Sequence, residues 1–274
     1  MSELLFNELP RPTFRWLRVN HTPASLLGES EETKSVLVKG NDEIISELPT
    51  GTALINPNYK GANDVALTQL VNSAEGYAVH VPANANEIVG IRIDVGARIA
   101  SRFQFIVEEG ANLEVQFFLD GGLANTTNVQ YFNEYDVKAN AKVVVKKVNL
   151  LDDTIQHIEH RYTKLEDNAD VEYINVEIGG KENFLHYEHD LQGQSSKIVH
   201  DIAYLGNKEQ KFDIAMLMSH GGKKSFSDIH TLGALSDTAK KSFRGTLDFL
   251  RGAVASEGAE EDTCLLLDPT VKSI

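Results

Sequence analysis

Two short segments put side chains capable of metal binding and acid–base chemistry at close spacing: His157-Ile158-Glu159-His160 and His186-Tyr187-Glu188-His189. Imidazole nitrogens and carboxylate oxygens are the donor set of a zinc or iron site, and paired carboxylates are what glycoside hydrolysis uses. The segments begin 29 residues apart (186 − 157), an offset that also aligns Glu159 with Glu188 and His160 with His189. On neighbouring strands about 4.8 Å apart, His157, Glu159, His186 and Glu188 are the candidate ligands. Side chains alternate faces along a straight strand, so His157 and His160 cannot both face one ion without a bend. The plainer reading is a solvated polar ladder on an outer face.

No other segment assembles a site. Ser219-His220-Gly221-Gly222-Lys223-Lys224-Ser225 looks briefly like a phosphate loop, but Leu217 stands where the first glycine is required, and Lys224 separates Lys223 from Ser225. No glycine-flanked serine elbow occurs, and Cys264 lies in the apolar run Thr263 to Asp268, the setting of an inert thiol. His220, Asp228 and His230 are close in sequence, yet turn and ladder roles account for them. The chain is therefore read as a non-enzyme that binds no cofactor of its own. Its single cysteine excludes an intrachain disulfide and cannot alone hold a structural zinc or an iron–sulfur cluster.

The elements that must carry these residues are mostly strands. From Gly76 onward, short alternating runs such as Leu113 to Leu119, Lys142 to Leu151 and Phe212 to Met218 follow one another with Gly, Asn and Asp between them. Such a series without intervening helices reads as a sandwich, a barrel or a β-solenoid. Ala111, Ala141 and Ala169 each open a similar run, 30 and 28 residues apart (141 − 111 and 169 − 141). A period of this size suits one solenoid coil of two or more strands, and a right-handed parallel β-helix over residues 76–274 is the preferred architecture; a sandwich with recurring turns is the alternative. Residues 1–75 read as a mixed lead-in, with an apolar start around Phe14, Trp16 and Leu17, a short strand from Ser35, and a helix at Asp64 to Ser73 capped by Asp64. Val65, Leu67, Leu70 and Val71 give that helix its apolar side.

Composition narrows the function classes. The chain has 274 residues, 42% of them apolar, enough for a large core, and no apolar run of membrane-spanning length. No basic region followed by an apolar run opens the sequence, so the cytoplasm is the expected location. A formal charge of −14 argues against a nucleic-acid partner and favours a neutral or basic protein.

Several stretches, taken in order, resemble the SufB/SufD family of SUF iron–sulfur cluster assembly scaffolds, and SufD more than SufB. They are Leu70 to Ile93, Phe105 to Val115 and the long block from Met218 to Ala253, with Pro12 to Asn20 similar to the family's aromatic and basic segment ahead of the core. The resemblance implies a right-handed parallel β-helix and a non-catalytic scaffold. The implied partners are a SufB-like subunit, met through the ends of the β-helices, and the SufC-type ABC ATPase, held by a C-terminal helical domain. The cluster and ATP would belong to the assembled complex, with a role in iron acquisition. The family's last coils and docking helices do not appear in this sequence. Its interface histidine maps to no residue here, and Cys264 does not match the cluster-associated cysteine of SufB. The open edge near Ile274 is expected to be an interface, through Cys264, Leu265, Leu267, Val271 and Ile274, including a possible homodimer.

Overall fold

Valine, isoleucine, tyrosine and phenylalanine pack well on a pleated surface, and from Gly76 onward every run rich in them is a strand. The computed structural model describes residues 3–9, 19–26, 36–94, 98–121 and 127–274. Phe14, Trp16, Leu17, Ser35 and most of the Pro12 to Asn20 segment lie outside the described residues. The lead-in holds β1 (Leu4–Phe6), β2 (Thr22–Ala24), β3 (Val36–Lys39), β4 (Ile45–Leu48) and α1 (Asp64–Ser73). There follow β5 (Gly76–Val81), β6 (Asn86–Asp94), β7 (Arg98–Val107), β8 (Asn112–Gly121), β9 (Asn128–Val137), β10 (Lys142–Leu151), β11 (Gln156–Leu165) and β12 (Asp170–Glu177). The chain continues with β13 (Glu182–Leu191), β14 (Lys197–Gly206), β15 (Lys211–His220), β16 (Phe226–Leu235), β17 (Lys240–Phe249), β18 (Glu257–Leu266) and β19 (Lys272–Ser273).

From β5 onward successive strands go alternately to two sheets, while β1 and β2 pair antiparallel with each other. One runs β18-β16-β14-β12-β10-β8-β6-β3, the other β19-β17-β15-β13-β11-β9-β7-β5-β4. Pairings from β5 onward are parallel, for example Lys142 with Asp170 and Gln156 with Glu182. This is a parallel β-helix with two-strand coils. It is not a sandwich, whose hairpin-linked strands would pair antiparallel. The lead-in contributes an antiparallel strand to the end of each sheet, β3 on β6 and β4 on β5.

One corner explains the recurring motif. Asn84, Gly110, Asn140, Asn168, Ser195, Lys224 and Ala255 all have left-handed backbone, with φ between 55° and 70°, a conformation that suits Gly and Asn best. The next residue of each turn is small: Ala85, Ala111, Ala141, Ala169, Ser196, Ser225 or Ser256. Ala111, Ala141, Ala169 and Ser196 are fully buried, turned into the corner where a longer side chain would meet the adjacent coils. The amide of the left-handed residue donates to the following coil, as Asn140 to Asp167 O and Asn168 to Gln194 O. At this corner Gly222 lies so close to Gly193 that an added Cβ would fall 1.9 Å from its carbonyl oxygen. Gly222 of the phosphate-loop look-alike serves backbone packing.

The lead-in packs on the outer face of the second sheet. Its helix is capped by Asn63, not Asp64: the Asn63 side chain accepts from the Ala66 amide at 2.9 Å, while Asp64 lies in the first turn, where its charge suits the helix dipole. Ala66, Leu67 and Leu70 are the buried side, whereas Val65 is 46% exposed because it sits a half-turn away from them. Tyr59 stacks on Phe132 at 4.9 Å and Phe6 on Phe184 at 4.2 Å. Covered outside and packed inside, β9 and β11 are buried on both faces. No helix among the described residues is long and apolar enough to cross a membrane.

The corner geometry sets two opposite expectations for thermal melting. Lys224→Gly should stabilise by about 0.5–1 kcal/mol, because the left-handed position no longer strains a side chain. Ala141→Leu should destabilise by roughly 1–3 kcal/mol through overpacking. An unchanged melting temperature in both variants would contradict this account of the corner.

Candidate functional site

Inward positions of the middle coils begin as ordinary core and then turn polar. Along β10 the inward residues run Val143, Val145, Lys147, Asn149, and along β11 they run His157, Glu159, Arg161, Thr163; all eight are buried. Lys147 bridges the carboxylates of Glu159 and Glu177, and Arg161 also holds Glu159. The hydroxyls of Tyr131 and Tyr187 donate to Glu159 at 3.0 and 3.1 Å. The Arg161 guanidinium lies between the rings of Tyr173 and Tyr187, 4.4 and 4.5 Å from their centroids, a cation–π sandwich out of reach of water. Asn149 ties Glu177 to His157 and Asn183. Beyond Arg161, His200 meets its guanidinium at 3.4 Å, His189 at 3.2 Å and Asn175 at 3.3 Å.

The charges in this cluster compensate one another. Burial opposes ionisation of Glu159, but the Arg161 and Lys147 charges beside it hold its carboxyl below the usual range. Burial raises Glu177, with Lys147 opposing. Burial works against the charge of Arg161, yet Glu159 and the surrounding tyrosines raise its pKa further. Burial, reinforced by Lys147, lowers His157 to about 3, and it lowers His189 and His200 well below the ordinary histidine value. These imidazoles are neutral at physiological pH. They act there as hydrogen-bonding members of a rigid network.

The four candidate ligands do not come together. The register pairs His160 with His186, and Tyr162 with Glu188, so the offset from β11 to β13 is 26 residues where the sequence suggested 29. The preceding coil, from β9 to β11, takes 28. The shortening comes at the Gly179-Gly180 corner, where Gly179 passes so near Leu151 that a Cβ would lie 2.1 Å from its amide nitrogen. His157 and Glu159 point into the lumen, whereas His186 and Glu188 lie on the outer face under the lead-in. The expected solvated ladder is corrected accordingly: His157, Glu159 and His160 are fully buried. Glu159 and Glu188 are likewise on opposite sides of the sheet and cannot act as a carboxylate pair. Among the described residues no three His, Cys, Asp or Glu side chains converge as a metal site. The expectation that His157 and His160 face opposite ways holds, because His160 turns outward to Gln130 and the Ala62 amide.

On the outer face His186 and Glu188 floor a cleft of about 770 Å³ beneath residues 3–9 and 58–65. His186 Nδ1 meets Asn7 Oδ1 at 3.1 Å, and its carbonyl accepts from the Tyr59 hydroxyl at 3.1 Å. Burial, with Asp190 nearby, pushes Glu188 up to about 7, and burial brings His186 down to about 4. At the far end of the helix, Leu265, Leu267 and Ile274 are exposed, Val271 is buried with Leu235 and Ala239, and Cys264 is half-buried against that cluster. Of the five edge residues, three therefore offer surface. His220, fully buried, hydrogen-bonds Ser225 and Ser227 at 2.7 and 2.8 Å, while His230 lies on the outer face between Asp201 and Asp228. Sequence reasoning missed Lys147, Arg161, Glu177 and His200; the signal was parity, since Lys147 follows Val143 and Val145 at the same two-residue step.

Two outcomes follow from the lumen. Lys147→Met leaves the Glu177 carboxylate buried without a cation beside Glu159, which keeps only Arg161, and should cost about 3–5 kcal/mol, with Glu177→Gln in the same chain restoring part of it; a chemical denaturation midpoint unchanged by Lys147→Met would contradict the clamp. Five histidines, His157, His160, His186, His189 and His200, have native pKa values below their unfolded ones. Through these groups the unfolded chain binds more protons as pH falls below about 6.5, and stability should drop between pH 6.5 and about 4, by up to about 1.4 kcal/mol per pH unit for each histidine, with the raised carboxyl of Glu188 offsetting about one of them. A melting temperature flat over that window would refute the assignment.

Comparison with known proteins places this architecture. No curated protein sequence matches the chain. The family profile described as SUF system FeS cluster assembly, SufBD core domain, matches residues 92–274, a span that holds all of the lumen cluster and most of the coils. The chain belongs to the SufB/SufD family of SUF iron–sulfur cluster assembly proteins.

Proposed function

We propose that the chain is a non-catalytic scaffold subunit of the SUF machinery, closer to SufD than to SufB, acting in the cytoplasm. It pairs with a SufB-like subunit and works with a SufC-type ATPase in iron acquisition and cluster assembly, while ATP and the cluster are held by the assembled complex. The observation that carries this reading is the SufBD core match over residues 92–274. The family reading is also supported by the Met218 to Ala253 block, where a His-Gly turn, Ser-x-Ser, a small-residue segment, Phe-x-Gly and a closing Gly-Ala come in the family's order. A side-chain-filled solenoid suits such a role physically. It is a stiff rod whose side faces can carry partners.

The test is coexpression of the full-length gene product with the SufB-like subunit and the ATPase of the same organism. The expected outcome is a stable complex retained through size exclusion, with cluster formation in vivo lost when this gene is deleted. Retention of neither partner, with cluster formation intact in the deletion strain, would defeat the proposal.

A further inference from the structure

The outer face of the β6-to-β18 sheet is half polar and half apolar. One row across it reads Gln116, Lys146, Ile174, Asp201, His230 and Glu261, polar at every place but Ile174. Two residues further along each strand, the paired residues are Phe118, Val148, Val176, Ala203 and Leu232. The next row adds Leu150, Ile178 and Leu205, and Leu232 and Leu205 are 60% and 45% exposed. Single exposed leucines are commonplace, whereas a continuous apolar stripe over successive strands marks a binding surface. In-register pairing keeps the stripe straight along the helix axis. From β8 to β16 it spans about 19 Å at roughly 4.8 Å per strand, a length an α-helix covers in about 13 residues.

The borders of the stripe carry unbalanced negative charge. At the corner, Leu150 and Ile178 slope into a depression of about 360 Å³ that also takes in Asp152, Asp153 and Lys208. Lys208 is already paired with Asp153, and on the opposite border Lys146 is paired with Glu114. Asp152 on one side and Asp201, Asp228 and Glu261 on the other leave acid in excess, within a chain of charge −14. A second copy would set like borders against each other across a two-fold contact. A basic partner gains from the same field.

We propose that this stripe seats an amphipathic helix of a partner protein, with leucine-type side chains against Val148, Val176, Leu205 and Leu232 and lysines or arginines reaching the acidic borders. The stripe runs along the coils and reaches the coil end expected to meet a sister subunit only at Leu265, which continues the row of Leu205 and Ala234; the inference does not depend on which family member the chain is.

The probe is a 16-residue synthetic peptide with leucines at helical i, i+3, i+4 spacing and lysines elsewhere, paired with a scrambled isomer that spreads the leucines evenly around the helix. In fluorescence anisotropy against the chain, the amphipathic peptide should bind at least 10-fold more tightly than the isomer. Leu205→Lys with Leu232→Lys should abolish that preference, and Leu205→Ser with Leu232→Ser should weaken it, each at unchanged melting temperature. Ile88→Lys, an exposed apolar residue of the same face but off the stripe, should leave it intact. Asp152→Asn with Asp153→Asn should weaken binding several-fold and flatten its salt dependence. Equal binding of the two peptides, or full binding by the Leu205/Leu232 variants, would overturn the proposal. So would a dimer of the chain itself, seen by ultracentrifugation, that Leu205→Lys with Leu232→Lys dissolves.

Discussion

A coil of this protein cannot satisfy its own backbone. Each strand finds its hydrogen-bond partners in the coils before and after it, so register between neighbours is the constraint on which everything else rests. The left-handed corner holds that register: a residue such as Asn140 or Asn168 passes its amide to the next coil, and the small residue behind it lets the coils close to strand spacing. Once register is fixed, side chains are stacked in rows, and any polar group on an inward row must be answered from an adjacent coil.

The lumen meets that demand with charge. Lys147, Glu159, Arg161 and Glu177 come from three successive strands of the chain, and none could be buried without the others. Tyrosines on both sides extend the network, so apolar packing surrounds it while every carboxylate is addressed. Outside, the lead-in does a similar service for β9, β11 and β13. Gly61 approaches His160 so closely that an added Cβ would lie 2.3 Å from Nδ1, and the Arg102–Glu134 ion pair is sealed beneath the Thr52 carbonyl and the Ile55 amide.

Legibility in the sequence followed the strength of the local physics. The strands and their coil period were readable because a left-handed corner selects Gly or Asn, and a crowded corner selects Ala or Ser. The helix was readable, but its cap was misplaced by one residue, since Asn63 and Asp64 are both competent and only the backbone angles choose between them. The His157 and His186 alignment misled because its 29-residue offset is odd, whereas the coils here step by 28 and then 26, and a one-residue slip turns a side chain to the other face. Burial of β11 on both faces was unreadable locally: it depends on residues about 100 positions earlier, as in the 2.9 Å bond from the Arg161 amide to the Tyr59 hydroxyl.

The ionic clamp has a consequence for how the rod comes apart. Repeat architectures unravel from their ends, each coil leaving at the cost of one interface. In this molecule the network runs from Tyr131 on β9 through Lys147 on β10 to His200 on β14, so releasing any one of these coils strands charges on its neighbours. The middle of the rod is therefore welded into one cooperative unit, while the coils beyond it can fray and re-form singly. A load applied to any coil of the network is thereby shared by all of them, which holds the register of the middle coils fixed.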